Sequence, residues 1–218
     1  MIDKMVGKTE VALYGLAYSI GMLVQLFISG MNSALTPWMY SKIKKGDIRS
    51  MRKVLQLLSI VVVGIAVALM LISPELVLIF GSPKYREAVY VIPPVAASVF
   101  FIFIYNILSM PQFYYEKTQF LMAASMAAAG ANVVLNFIFI RLFGYIAAGY
   151  TTLACYMLYS VGHYIVSKQI LVNEGIQENL MNPGFLLACS VFLIGASIIC
   201  NLIFPYRICL LYTSPSPR

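Results

Sequence analysis

The residues of this chain that could do chemistry at membrane depth are uncharged amides, hydroxyls and one histidine, set within long apolar stretches. Such groups in lipid must meet another polar group or water, because an unpaired polar atom is costly there. Their spacing therefore indicates what they line. The candidate residues for a substrate cavity are Gln25, Asn32, Asn106, Asn132, Asn136, Thr152, Tyr156, Tyr159 and His163.

Helical spacing arranges most of these candidates in stripes. The longest stripe follows the pattern i, i+4, i+7, i+11 and consists of Thr152, Tyr156, Tyr159 and His163. Asn132 and Asn136 are four residues apart, and Gln25 and Asn32 are seven apart, so each pair shares a helix face. Two interpretations stay open. The stripes form hydrogen bonds between helices, each contributing about 0.6 kcal/mol, or they line a water-filled cavity that binds a polar, sugar-like cargo.

The sequence offers little to support catalysis or metal binding. Ionisable residues at bilayer depth usually mark function, and the predicted spans hold no Asp, Glu, Lys or Arg well inside. His163 has no partner at metal-ligand spacing, which favours a packing or anchoring role over a functional one. Cys155, Cys189 and Cys200 lie in apolar stretches and are expected to pack. We therefore expect no catalytic residue, no metal and no cofactor.

The elements that must position the candidates are membrane helices. Of all residues 61% are hydrophobic and 11% charged, against about 45–50% and 25% in soluble domains. A helix needs roughly 20 apolar residues to cross a bilayer. The predicted spans are 11–40, 54–73, 89–112, 120–140, 145–166 and 184–204. The fold class is therefore all-α, a polytopic bundle of six transmembrane helices.

Prolines predict breaks in two of these spans. Pro74 should kink or stop the second helix, which leaves 74–88 as a surface connector. Pro93 and Pro94 lie within the third predicted span, where they should leave carbonyl groups unpaired and kink the helix.

The positive charge indicates orientation in a membrane. The net charge is +7, but six of the basic residues lie in the segment 41–53 between two apolar runs. Basic loops usually stay in the cytoplasm. The loop 41–53 is therefore predicted to be cytoplasmic, and nucleic acid is not expected as a partner.

Three stretches, 10–47, 84–120 and 132–165, resemble the polysaccharide-biosynthesis flippases of the multidrug, oligosaccharidyl-lipid and polysaccharide exporter superfamily. The resemblance covers roughly 3–170. The residues that carry it are Tyr14, Ala17 and Tyr18, then Lys84, Tyr85 and Ala88, then Tyr114, Tyr115 and Lys117, and finally Asn136, Gly144, Ala148 and Thr151.

The resemblance implies a transporter with two six-helix lobes around a central cavity, of which 1–206 would be the C-terminal lobe and the N-terminal lobe would be missing. It implies translocation of an undecaprenyl-diphosphate-linked oligosaccharide across the bacterial inner membrane by alternating access. Lipid and the missing lobe would be the partners. Asp3 and Lys4 match a charged position of the family, but cations that would meet the diphosphate are not found at depth. One lobe alone is expected not to transport.

Other functions remain open. A multidrug exporter coupled to a cation would need an acidic residue in a span, and the predicted spans lack one. A membrane enzyme acting on lipid-linked sugars would need a large outer loop, and the outer loops are short. A structural subunit is a further alternative.

The last ten residues, 209–218, read CLLYTSPSPR and continue no helical pattern. They resemble translated sequencing-adapter sequence more than a disordered proline-rich tail. The expectation is that 209–218 are not native and that the last helix ends at 204.

Overall fold

The computed structural model describes residues 2–81 and 83–213, and this part of the chain is helical with no strand. The helices are α1 (Ile2–Met5), α2 (Lys8–Lys44), α3 (Ile48–Phe80), a 3-10 helix (Pro83–Tyr90), α4 (Ile92–Tyr114), α5 (Gln119–Phe143), α6 (Ala147–Asn173) and α7 (Pro183–Thr213). The six long helices confirm the predicted all-α bundle.

Within the described residues, five helices have the length and apolar composition to cross a membrane. They are α2, α3, α4, α5 and the part Pro183–Tyr206 of α7. Helix α6 has 27 residues, which is long enough, but its hydroxyls and histidine keep it out of this group. A membrane crossing by α6 therefore stays a prediction.

Helix α4 forms the centre of the bundle and packs against α2, α3, α6 and α7. Its residues from Ile92 to Ile104 are all buried. A helix that is apolar all round is stable only when other helices surround it. Phe100 and Phe103 are among the largest fully buried side chains, so α4 supplies much of the core.

The two ends of the bundle differ in charge. The turn after α2, the turn after α4 and the segment 174–182 meet at one end, which we call the basic end because 41–53 lies there. There Arg52 donates from Nε to the Asn179 carbonyl at 2.7 Å and pairs with Glu178 at 3.2 Å. The 3-10 helix and the α5–α6 turn lie at the opposite end, where the Tyr145 hydroxyl donates to the Glu87 carbonyl at 3.4 Å.

The prediction of a loop over 41–53 is wrong in extent, because only residues 45–47 interrupt the helices. Gly46 takes the left-handed φ of 69° that the tight turn requires. Asp47 then caps α3, since its Oδ1 accepts from the Ser50 N–H at 3.2 Å. Most of the basic side chains therefore lie on helix ends, and their cytoplasmic location stays a prediction.

Two proline predictions need correction. Pro74 lies inside α3, which continues to Phe80, so the connector begins only at Gly81. Pro93 and Pro94 occupy the first turn of α4 instead of its middle, and in a first turn the missing N–H has no helical partner to lose. Glu75 consequently lies within α3, although it falls after the predicted end of this span at 73.

The last two helices are longer than predicted. Helix α6 runs seven residues past the predicted end at 166, to Asn173. Helix α7 continues through Pro205 to Thr213, so the predicted end at 204 is wrong. The residues after Arg207 include Leu210, Leu211 and Tyr212, which a helix accommodates. Residues 214–218 lie outside the described part, and a non-native origin of 209–218 stays a prediction.

Candidate functional site

A cavity lined by tyrosines opens between α2, α4, α5 and α6, with a volume of about 490 Å³. We call it the tyrosine cavity. Its lining residues are Tyr14, Tyr18, Tyr105, Ser125, Ala128, Ala129, Asn132, Thr152, Cys155, Tyr156 and Tyr159. Four of the candidates from the sequence, Asn132, Thr152, Tyr156 and Tyr159, are brought together here.

The rings of the tyrosine cavity form two groups, one on α2 and one shared by α4 and α6. Tyr14 and Tyr18 on α2 stack with centroids 5.8 Å apart, as residues four apart on a helix can do. On the other side Tyr105 of α4 lies parallel to Tyr156 at 6.2 Å and contacts Tyr159 at 4.6 Å. Because α4 is fixed in the core, Tyr105 holds the two α6 tyrosines in a defined orientation.

Hydroxyl groups provide the polar contacts of the tyrosine cavity. The Tyr14 hydroxyl lies 3.5 Å from Thr152 Oγ1, and Ser125 Oγ lies 2.8 Å from the Tyr159 hydroxyl. The cavity therefore offers aromatic faces with a few hydroxyls and amides at their edges. That combination suits a neutral polyhydroxylated ligand, since no charged side chain lines it among the described residues.

The two asparagines of α5 form a bridge to α6. The Asn136 amide donates to Asn132 Oδ1 at 2.8 Å, and the Thr151 hydroxyl donates to Asn136 Oδ1 at 2.6 Å. Asn132 Nδ2 also reaches Cys155 Sγ at 3.6 Å. For Asn136 the interhelical interpretation therefore applies. Asn132 fits both the interhelical and the cavity interpretation, because it contacts Cys155 of α6 and also lines the tyrosine cavity.

His163 lies beside the tyrosine cavity and is buried against α4. Its Nδ1 is 2.7 Å from Nε2 of Gln112, and both side chains are almost fully buried. Its ring contacts Tyr159 edge-on at 4.4 Å and lies 5.9 Å from Tyr105. Nε2 of His163 and Oε1 of Gln112 are buried without a hydrogen-bond partner. The pair joins α4 to α6 on the side of the tyrosine rings that faces the basic end.

The remaining candidates lie elsewhere. Gln25 and Asn32 do not line the tyrosine cavity, and their side-chain oxygens are buried without a hydrogen-bond partner. Asn106 donates to the Ile102 carbonyl of its own helix at 2.7 Å. Asn106 follows Tyr105 directly and therefore points to a different side of α4, whereas Gln25 and Asn32 share a face of α2 with Tyr18 but lie farther along the helix.

Sequence reasoning missed several cavity residues. Tyr14, Tyr18 and Tyr105 line it, although tyrosines in a membrane helix are usually assigned to the interface. The spacing of Tyr14 and Tyr18, four residues apart, was an available sign of a shared aromatic face. Gln112, the partner of His163, gave no such sign, because no pattern links residues 51 positions apart.

The charged side chains nearest to these candidates lie outside the tyrosine cavity. Glu75 is on α3, with its Oε2 atom buried. Asp3 is on α1 beside a second cavity that Tyr14 and Asn136 also line, while the side chain of Lys4 is outside the described part. At the basic end, the hydrogen bond from Lys42 lowers the pKa of Asp47. No group of three or more metal-ligating side chains occurs in the described residues.

Comparison with known proteins identifies a family over most of the chain. The profile of the MatE family matches residues 1–138, which include α1 to α4 and most of α5. No curated protein and no solved structure matches the chain. The match covers two walls of the tyrosine cavity, those formed by α2 and α4, and part of a third.

Proposed function

The chain belongs to the MatE family of membrane transporters, and from that premise we propose that it takes part in translocating a lipid-linked oligosaccharide across a bacterial plasma membrane. The reaction is movement of the cargo with no covalent step. Membership in this family makes the chain a multi-pass membrane protein and an exporter-superfamily transporter, and it disfavours the alternative of an enzyme acting on lipid-linked sugars.

The observation that carries the proposal is the tyrosine cavity. Sugars present apolar faces that stack on aromatic rings and hydroxyls that bond to amides and hydroxyls at the ring edges. Tyr105 and Tyr156 lie parallel, and Thr152 and Ser125 contribute hydroxyls beside them. A charged drug would gain less from this lining, because a buried charge needs a charged or strongly polar partner.

The proposal extends to a second lobe as partner. Helix α5 has one buried residue, Ile140, among the described part, while Met122, Met126 and Val133 are more than half exposed. The tyrosine cavity is bounded by α5 but open to one side. A second six-helix lobe would cover this side and supply the cations that meet the diphosphate. Residues 1–206 reconstituted alone should then show no transport. Transport by these residues alone would refute the proposal that a second lobe is required.

Orientation follows from charge. The basic end carries Lys42, Lys44, Lys45, Arg49, Arg52 and Lys53, and we place it in the cytoplasm by the positive-inside rule. A cysteine introduced in the turn at Gly46 should be labelled by a membrane-impermeant reagent only after the cells are opened. Labelling in intact cells would place this end outside.

The cargo is tested in cells that produce the full-length protein. Deletion should leave the lipid-linked repeat unit on the cytoplasmic leaflet, and unchanged surface polysaccharide would refute the proposal. Tyr156→Leu should weaken cargo binding about 2- to 10-fold, since an aromatic stacking contact contributes about 0.5–1.5 kcal/mol. Tyr156→Phe, which keeps the ring, should lose less. Tyr40→Leu is the control, because Tyr40 packs on Tyr114 away from the cavity.

A cation-coupled multidrug exporter is the second candidate, and Glu75 is the observation that favours it. A carboxylate within a membrane helix is rare and commonly marks an ion path. Glu75 lies in the last two turns of α3, with Oε2 buried. Glu75→Gln should abolish ion-dependent drug efflux if this candidate is right. Unchanged polysaccharide export by the same variant would leave the oligosaccharide proposal standing.

A further inference from the structure

A further cavity lies on the other side of α6 and differs from the tyrosine cavity in its chemistry. It is a groove of about 270 Å³ between α4, α6 and α7, which we call the apolar groove. Its floor and rim include Phe100, Phe101, Ile104, Val161, Tyr164 and Leu187. The floor is buried, whereas Val161 and Leu187 at the rim are 56% and 66% exposed. The groove therefore opens toward the surrounding lipid.

The polar atoms in the apolar groove are already paired. Ser160 Oγ donates to the Phe101 carbonyl at 2.9 Å, and Ser190 Oγ donates to the Leu186 carbonyl at 2.7 Å. What remains is hydrocarbon surface, which suits a hydrocarbon chain. From Pro183 to Ser190 the groove follows α7 for about 10 Å, at 1.5 Å per residue, starting from the basic end.

Positive charge stands at the mouth of the groove. Arg52 is held by the Asn179 carbonyl and lies close enough to Tyr164 to interact with it electrostatically. Lys168 is exposed and lies four residues after Tyr164, hence one turn nearer the basic end on the same face of α6. An acyl chain that enters the groove would place its headgroup between these two cations.

The protein groups that could compete with a lipid phosphate at the mouth of the groove bind weakly or already have other partners. Glu178 pairs with Arg52, but its side chain is 51% exposed, and exposed pairs contribute little. Two of the five Arg52 donors are used by Asn179 and Glu178, which leaves capacity for a phosphate. The first N–H groups of α7 are bound by Asn182 Oδ1, so the attraction comes from the two cationic side chains.

We propose that the apolar groove binds an anionic glycerophospholipid, with one acyl chain between α4, α6 and α7 and the phosphate between Arg52 and Lys168. This lipid is distinct from the cargo. Helix α6 turns Tyr156 and Tyr159 toward the tyrosine cavity but Val161 and Tyr164 toward the groove, so the helix separates the two sites. The inference stands independently of which cargo is transported.

The test is native mass spectrometry of the full chain titrated with phosphatidylglycerol. A cation that lies close to an anionic headgroup contributes about 1 kcal/mol, which changes binding about fivefold. Arg52→Gln and Lys168→Gln should therefore each weaken phosphatidylglycerol binding about fivefold. Lys53→Gln is the matched control, because it removes the same charge from the exposed next residue of α3 and should change binding less than about twofold. Equal effects of Lys53→Gln and Arg52→Gln would overturn the proposal.

The groove itself is tested with a bulky side chain. Leu187→Trp at the rim should displace the lipid, whereas Val191→Trp, at a residue that is also exposed on α7 but outside the groove, should not. Displacement of phosphatidylglycerol by a lower concentration of polyprenyl phosphate would assign the groove to the carrier lipid and overturn the proposal. Tyr156→Leu, which affects the cargo site, should bind phosphatidylglycerol normally.

Discussion

The buried pair of Gln112 and His163 gives the sharpest test of how α4 and α6 are held together. Gln112 is 0% and His163 1% exposed, and Gln112 Nε2 donates to His163 Nδ1 at 2.7 Å. The other contact of Gln112 Nε2 is the Leu108 carbonyl of its own helix, at 3.3 Å. Replacing either partner by leucine leaves a buried polar group without its interhelical bond, whereas replacing both leaves an apolar contact.

The magnitude follows from these contacts. A buried polar group that loses its partner costs about 1–3 kcal/mol, and a double apolar replacement is close to neutral. Membrane hydrogen bonds measured by double-mutant cycles average about 0.6 kcal/mol with a maximum near 1.7. Because this bond is short and the site excludes water, we expect a coupling of about 1–1.5 kcal/mol, within that range. Gln112→Leu should cost more than His163→Leu, since it leaves both ring nitrogens unpaired.

The assay is a double-mutant cycle on unfolding in mixed detergent micelles titrated with SDS. Each single variant should unfold at lower SDS than the wild type, and the Gln112→Leu/His163→Leu double variant should unfold at higher SDS than Gln112→Leu alone. Asn106→Leu is a suitable comparison, because the Asn106 amide donates to the Ile102 carbonyl of its own helix. Additive single effects, with a coupling below about 0.3 kcal/mol, would refute the hydrogen bond.

Two further predictions concern packing and charge. Gly149→Ala should destabilise the bundle by about 1–3 kcal/mol in the same SDS titration, because a Cβ there would stand 2.9 Å from Pro94 Cγ. Gly15→Ala is the control and should be neutral or slightly stabilising, because a Cβ at that position would have no atom within 4 Å. The pKa of Asp47 is lowered by Lys42, so the stabilisation by its carboxylate is present above about pH 4 and is lost as the pH falls through the lowered pKa. Thermal unfolding of Asp47→Asn, which keeps the helix cap, should lack this acid-dependent step, and an unchanged step would refute the assignment.

The sequence predicted the number of long helices because hydropathy is a local property. All six predicted spans lie largely within helices, and three members of the predicted stripe, Thr152, Tyr156 and Tyr159, line the tyrosine cavity while His163 lies beside it. Helix ends were predicted less well, since they depend on single side chains such as the Asp47 cap and on the position of Pro93 and Pro94 in the first turn. Local patterns do not report such details.

The cavity could be predicted only in part, for a related reason. Spacing gives the face of a helix on which Tyr156 or Asn136 lies, but not the face that a neighbouring helix turns toward it. Gln25 and Asn32 are predicted site residues on the same grounds as Asn132, and their spacing from Tyr18 puts them on the same face of α2. They lie about 10 and 20 Å farther along the helix axis than Tyr18, at 1.5 Å per residue, and so beyond the tyrosine cavity. Where along a helix a cavity opens is decided by packing against the neighbouring helices, which is a tertiary property.

Helix α6 connects these observations. It is too polar to resemble the five apolar spans, and together with α4 it lines both the tyrosine cavity and the apolar groove. Its polar stripe is compatible with a membrane because α4 and α5 pair two of its members, through Gln112 at His163 and through Ser125 at Tyr159. A helix free to be uniformly apolar would not need these partners. The low hydropathy of α6 therefore reflects the hydroxyls and the histidine that bond to α4 and α5, and replacing one of them by an apolar residue, as in His163→Leu, should weaken the bundle.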